Sequence, residues 1–104
     1  MQNLSQSTYD NAIKGVTVQD LTPEIMSRFK LPDKLKGVIV TNVSAESPAN
    51  MILAQGDVIM EINRESIDNT KDYDTVVSRL KPQEDILLLI FRNGFSLYVT
   101  LSVK

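Results

Sequence analysis

The sequence predicts an α+β, mostly-β domain: a small, partly open antiparallel β-barrel of five to six strands with two to three short helices. Residues 86–91 form an unbroken apolar run, which is typical of a strand buried on both faces. The dipeptide Asn93-Gly94 follows, and both of its residues tolerate the positive φ angles of a type I′ hairpin turn. From Phe95 to Val103 apolar and polar residues alternate, as they do in a strand with one buried face.

The middle of the chain predicts a helix, a tight turn and a buried strand. Ser47 can cap a helix that has Pro48 at its first position, where proline loses no intrahelical hydrogen bond. Gly56 and Asp57 supply a turn, and Asp57 is therefore interpreted as a turn-forming acid rather than as a metal ligand. The apolar residues Val58, Ile59, Met60 and Ile62 then predict a core strand.

The first part of the chain predicts a tail and two strands. Residues 1–12 are mostly polar and are interpreted as a flexible tail or linker, which leaves residues 13–104 as the folded domain. A half-buried strand is predicted after Gly15, where alternation begins, and a β-branched central strand is predicted over residues 37–43.

Two further helices are predicted from capping residues and apolar spacing. Thr22 can cap a short helix with Pro23 at its first position. Asn69 or Thr70 can cap a second helix that continues to Leu80. Its apolar face has helical spacing and consists of Tyr73, Val76, Val77 and Leu80.

Composition excludes several classes of function. The net charge of −2, without a basic stripe, argues against a nucleic-acid partner, and no apolar run approaches the roughly 20 residues needed for direct membrane insertion. Histidine and cysteine are both absent, so the chain has no Ser-His-Asp triad, thiol nucleophile or His/Cys metal site. Asp72 and Asp74 lie two positions apart on the predicted helix, face different directions and are interpreted as solvated acids. We therefore expect no catalytic residue, metal or cofactor.

Two short motifs support a family resemblance. Ser-Pro-Ala at residues 47–49, followed by Gly-Asp-Val-Ile at residues 56–59 and Ile-Asn at residues 62–63, resembles the signature of a PDZ domain. The resemblance covers residues 13–103. No strand is predicted before Ile13 and one follows Asn93-Gly94, which is similar to the permuted strand order of bacterial protease PDZ domains.

A second set of residues makes the resemblance more specific. Residues 18–24, Val-Gln-Asp-Leu-Thr-Pro-Glu, with Leu-Pro-Asp at residues 31–33 and Gly-Val-Ile-Val at residues 37–40, are similar to the second, C-terminal PDZ domain of HtrA/Deg-type periplasmic serine proteases. The sequence departs from the family at Lys14, where a hydrophobic residue is usual. It also lacks the usual glycine in residues 50–54.

The resemblance implies a binding groove. A peptide C-terminus would add as a strand beside residues 16–19, and backbone N–H groups of residues 13–16 would hold its carboxylate. The peptide-binding residues implied in this way are Ile13, Lys14, Gly15, Val16, Val18, Tyr73, Val77 and Leu80. The alternative is that these are ordinary core residues, with Lys14 solvated.

The function implied is that of a non-catalytic peptide-binding and assembly module in a periplasmic protease of protein quality control, whose parent is a serine endopeptidase. Expected partners are C-terminal or unfolded peptides and the neighbouring protease or PDZ domains of the parent oligomer. One alternative is a PDZ module of a site-2 protease, a C-terminal processing protease or a secretion system. Others are a pure interdomain contact domain with an unused groove and a free-standing enzyme, against which the missing histidine and cysteine argue.

Overall fold

A computed structural model describes residues 6–7, 13, 15–80 and 85–102. Its elements are β1 (Gln6–Ser7), β2 (Val16–Asp20), α1 (Pro23–Arg28), β3 (Val38–Val43), β4 (Val58–Ile62), β5 (Glu65–Ser66), α2 (Thr70–Ser78), β6 (Ile86–Arg92) and β7 (Phe95–Leu101). The strands form one antiparallel sheet in the order β1-β2-β3-β4-β6-β7, with β5 paired to β4. The mostly-β class and the open antiparallel sheet are therefore confirmed. The two-residue strands β1 and β5 were not predicted.

The core lies between the sheet and α2. On β6 the side chains alternate between buried and half-buried positions, so its second face is only partly covered, not fully buried as the apolar run predicts. On β4, Val58, Ile59 and Ile62 are completely buried. Ile59 pairs with Val38 on one side and with Ile90 on the other, which places it at the centre of the sheet.

Of the three helices with predicted N-terminal caps, those that begin after Thr22 and Asn69 are confirmed. The Thr22 hydroxyl accepts a hydrogen bond from the Ile25 amide at 3.2 Å, and Pro23 occupies the first turn of α1. In α2 the Asn69 side chain accepts from the Asp72 amide at 2.8 Å. The helix ends at Ser78, before the predicted end at Leu80. Neither of these two helices has the length and apolarity needed to cross a membrane.

The helix predicted at Ser47 is wrong, because residues 45–52 form successive turns. The Ser47 hydroxyl does accept from the Ala49 amide at 3.0 Å, as a helix cap would. Met51, however, has a φ of +74°, in the left-handed region, and a right-handed helix cannot continue through it. This segment is also where the sequence lacks the glycine that would favour such a backbone.

Asp57 joins two parts of the chain that are distant in sequence. It lies at the start of β4, as predicted for a turn residue, but its side chain is only 3% exposed. The Arg92 guanidinium donates to it through Nε at 2.9 Å and again through a terminal nitrogen, and the Ala54 amide donates at 2.8 Å. Arg92 also donates to the Ile52 carbonyl at 2.8 Å. Asp57 and Arg92 together therefore connect the start of β4, the end of β6 and the chain at Ile52 and Ala54.

The segment predicted as a tail contains a strand. Within residues 1–12 the structure describes Gln6 and Ser7, which pair with Gln19 and Val18 respectively. The boundary at residue 13 itself stays a prediction.

Candidate functional site

The candidate groove lies along β2, and it begins at a tight turn that requires glycine. Gly15 has a φ of +78°, and a Cβ atom at this position would lie 2.9 Å from the Cβ of Ser47. Its carbonyl accepts a hydrogen bond from the Ser44 amide at 2.8 Å. The Ser-Pro-Ala motif of residues 47–49 therefore supports the turn before β2, a role that the capping interpretation of Ser47 missed.

One wall of the candidate groove is β2 itself. Val16 and Val18 are buried, whereas Thr17 and Gln19 are half-buried. The inner side of β2 pairs with β3, and the register shifts between Thr17 and Val18. The outer side of β2 faces β1.

The opposite wall is α2, which is tied to the far end of β2. The Asp20 carboxylate accepts from the Thr70 amide at 2.7 Å, next to the Asn69 cap. A carboxylate is favourable at this position because free N–H groups and the positive end of the helix dipole meet there. The Asp72 carboxylate accepts in turn from the Asp68 amide at 3.1 Å, so this acid stabilises the start of the helix.

The structure brings most of the predicted peptide-binding residues together in one apolar cluster. Buried members of the cluster are Ile13, Val16, Val18, Tyr73 and Val77, and Leu80 packs against it while remaining half-buried. Gly15 is exposed, and Lys14 lies outside the described residues. The buried residues thus contribute to the domain core as well as to the two walls, and their contact with a peptide remains a prediction.

Tyr73 is the most unusual side chain of the α2 wall. It is 1% exposed, and its hydroxyl has no hydrogen-bond partner among the described residues. Burial, with a smaller contribution from the Asp74 carboxylate, raises the pKa of the Tyr73 phenol well above its usual value. Tyr73 therefore remains neutral and acts here as an apolar wall residue rather than as a proton donor or acceptor.

The arrangement offers main-chain and apolar contacts rather than reactive groups. In the described parts of the chain no group of three or more acidic residues is placed to hold a metal ion. Sequence reasoning missed β1, the strand that pairs with the outer edge of β2, because Gln6 and Ser7 are both polar and give no apolar alternation to indicate a strand.

Known proteins resemble this chain in sequence. The sequence model of the PDZ domain family matches residues 11–103. A probable periplasmic serine endoprotease, DegP-like, from Rickettsia prowazekii (strain Madrid E) is 31% identical over 92 residues, which cover 86% of this chain and 17% of the relative. A protein of the same description from Chlamydia pneumoniae is 33% identical over 91 residues, covering 86% of this chain and 18% of the relative. The chain thus spans less than a fifth of these relatives.

Several solved protein structures also resemble this chain in fold. The HtrA-type protease AlgW with a decapeptide superposes with a TM-score of 0.76 at 30% identity, over 85% of this chain and 27% of that one. The HtrA3 PDZ domain bound to a phage-derived ligand, FGRWV, has a TM-score of 0.69 over 85% of this chain and 80% of that one. Its 20% identity supports the fold alone. With the family match over residues 11–103 and this shared fold, the chain belongs to the PDZ domain family.

Proposed function

We propose that this chain is a non-catalytic peptide-binding and assembly module, the second PDZ domain of a periplasmic HtrA/Deg-type serine protease that acts in protein quality control. The relatives named as periplasmic serine endoproteases support the type of parent protein. The AlgW structures with a tripeptide and a decapeptide support peptides as ligands. PDZ domains are themselves non-catalytic, so any endopeptidase activity belongs to the parent protein.

The observation that supports peptide binding best is the outer edge of β2. Strand β1 pairs with this edge antiparallel, so the main-chain groups on the outer side of β2 are oriented to pair with a strand, as a peptide in a groove would. Strand addition supplies hydrogen bonds that do not depend on ligand sequence, whereas flanking side chains select among ligands. On the α2 side those flanking side chains are Tyr73, Val77 and Leu80.

The turn at Gly15 is the proposed carboxylate site. Successive backbone N–H groups in a turn with a positive-φ residue form a concave site for an anion, and Gly15 supplies that φ. Lys14 directly precedes Gly15 in the sequence, where the family usually has a hydrophobic residue, and its positive charge would favour an anionic ligand. We therefore expect the chain to depend more on the ligand carboxylate and less on an apolar pocket.

A titration with one peptide in two forms tests the proposal. The probe is the pentapeptide FGRWV with a free carboxylate, and the control is the same peptide with an amidated C-terminus. We expect micromolar binding of the free acid and at least ~10-fold weaker binding of the amide, because the amide lacks the charge that the N–H groups stabilise. NMR signals of Gly15, Val16, Val77 and Leu80 should shift with the free acid.

If the free-acid peptide does not bind, the second candidate function is favoured: an interdomain contact domain with an unused groove. Strand β7 supports that candidate, since it ends the sheet and exposes Phe95 (74%) and Tyr98 (54%). If the NMR signals of Gly15, Val16, Val77 and Leu80 do not shift at a millimolar concentration of the free-acid peptide, the proposed peptide binding is wrong. Shifts of Phe95 and Tyr98 on mixing with the parent protease domain would then identify the contact surface.

A further inference from the structure

We propose that the groove is closed by the chain itself: β1 is an intramolecular competitor that a peptide must displace before it can pair with β2. This inference rests on the proposed function for the identity of the competing ligand. The closure itself rests on geometry alone.

The first step of the argument is the position of β1. Gln6 pairs with Gln19 and Ser7 pairs with Val18, on the side of β2 that faces away from β3. Strand β1 also lies alongside α2. It therefore occupies the space between the two walls of the candidate groove, and a second strand cannot pair with the same residues of β2 at the same time.

The second step is the direction of β1. Residue numbers rise along β1 as they fall along β2, so the chain runs toward Gly15. A peptide whose carboxylate sits at the Gly15 turn and whose backbone pairs with β2 must run in this same direction. Strand β1 thus imitates a bound peptide in both place and polarity.

The third step explains why the closure is reversible. Residues 1–9 contain no charged side chain, and neither Gln6 nor Ser7 is one of the β-branched or aromatic residues that favour strands. The chain also continues past Ser7, so β1 has no terminal carboxylate to offer at Gly15. A peptide with a free carboxylate makes that additional interaction, whereas β1 has the advantage of its short covalent link to β2.

The consequence is that a peptide can bind only to the open form of the protein, in which β1 is not paired with β2. The apparent dissociation constant equals the intrinsic one divided by the open fraction. If the closed form makes up about nine-tenths of the population, opening the groove permanently should tighten peptide binding by ~10-fold.

The test uses full-length chains that differ only near β1. The double variant Gln6→Pro/Ser7→Pro removes two backbone donors and disfavours the strand, whereas Gln2→Pro/Asn3→Pro adds the same two prolines outside β1. A third variant, Gln6→Thr/Ser7→Thr, strengthens the strand through β-branched residues. Circular dichroism establishes that each variant folds.

Two readouts separate the closure from the proposed function. We expect faster amide hydrogen exchange in residues 16–20 of Gln6→Pro/Ser7→Pro, and ~10-fold tighter binding of the FGRWV free acid. The threonine variant should bind the peptide more weakly than the unmodified chain does. The Gln2→Pro/Asn3→Pro control should bind it with the same affinity as the unmodified chain.

Each other outcome decides one of the two proposals. Equal affinity and equal exchange in all four chains would overturn the closure. If none binds the probe, the proposed function fails, and the exchange rates alone decide whether β1 covers β2. The difference in exchange rate between the unmodified chain and Gln6→Pro/Ser7→Pro could instead grow with protein concentration. In that case the strand that covers β2 comes from a second copy of the chain, and the intramolecular proposal is overturned.

Discussion

Asp57 and Tyr73 are two buried polar residues in different regions of the molecule, and their surroundings differ. Asp57, at the start of β4, is 3% exposed and accepts hydrogen bonds from Ala54 and Arg92. Tyr73, in the α2 wall, is 1% exposed and has a hydroxyl without a partner among the described residues. Asp57 with its donors Ala54 and Arg92, here called the β4 corner, therefore follows the rule that buried polar groups are paired, whereas Tyr73 in the α2 wall does not. Departures from this rule are expected at functional sites. Asp57 therefore belongs to the part of the molecule that stabilises the fold, whereas Tyr73 lowers stability in the wall of the candidate groove.

The largest effect should come from the strand that supports the β4 corner. Ile59→Ala removes most of a fully buried side chain from the centre of the sheet, and we expect the free energy of unfolding to fall by about 2–5 kcal/mol. Met60→Ala, at the half-buried neighbouring position, is the control and should cost clearly less. Denaturant unfolding measures both. A larger loss for Met60→Ala would mean that the strand faces the other way.

The paired carboxylate gives the next prediction. Arg92→Met keeps the aliphatic stem but leaves Asp57 buried, with the Ala54 amide as its one remaining donor among the residues that the structure describes, so we expect a loss of about 2–4 kcal/mol in the free energy of unfolding. Arg79→Met breaks an ion pair with Glu65 whose side chains are 59% and 54% exposed, and it should cost at most about 1 kcal/mol.

A double variant sharpens this result. Asp57→Asn combined with Arg92→Met removes the unpaired charge, so the pair should lose less stability than Arg92→Met alone. Additive losses in chemical denaturation would show that the two side chains do not interact.

The unpaired hydroxyl gives a prediction of the opposite sign. Tyr73→Phe removes a buried polar atom that has no hydrogen-bond partner in the described parts of the chain, so the free energy of unfolding should rise by about 1 kcal/mol. Tyr98→Phe, at a 54% exposed position, is the control and should change little. A loss of stability in Tyr73→Phe would show that the hydroxyl has a partner.

Alkaline pH gives a second test of the buried phenol of Tyr73. The pKa of Tyr73 is raised in the folded protein by burial, whereas in the unfolded chain it has the ordinary value near 10. Above about pH 10 the unfolded chain releases this proton and the folded chain keeps it, so Tyr73 lowers stability by about 1.4 kcal/mol per pH unit. Tyr73→Phe should lack this slope relative to Tyr98→Phe in unfolding experiments from pH 9 to 11. Equal slopes would contradict the burial of the phenol.

Sequence patterns predicted the parts of this fold that depend on apolar runs or apolar periodicity, such as β6, β7 and the buried face of α2. They could not predict β1, because backbone pairing at an open sheet edge leaves no signature in Gln6 and Ser7. The pair formed by Asp57 and Arg92 was also missed, since a contact over 35 positions depends on the strand register rather than on local sequence. For the same reason the groove residues were identified by resemblance, whereas the closure of the groove was visible only in the structure.

The smallest effect concerns the turn that replaced the predicted helix, beside the β4 corner. Met51 is 93% exposed and has a φ of +74°, so its side chain contributes little packing while its Cβ strains the backbone. Met51→Gly relieves this strain, and the greater freedom of glycine in the unfolded chain offsets part of the gain. We therefore expect the free energy of unfolding to rise by less than about 1 kcal/mol. Met51→Ala is the matched control, because it removes the side chain but keeps the Cβ atom. If the alanine variant is as stable as the glycine variant in parallel denaturant titrations, the backbone at residue 51 is unstrained, and the missing helix needs another cause.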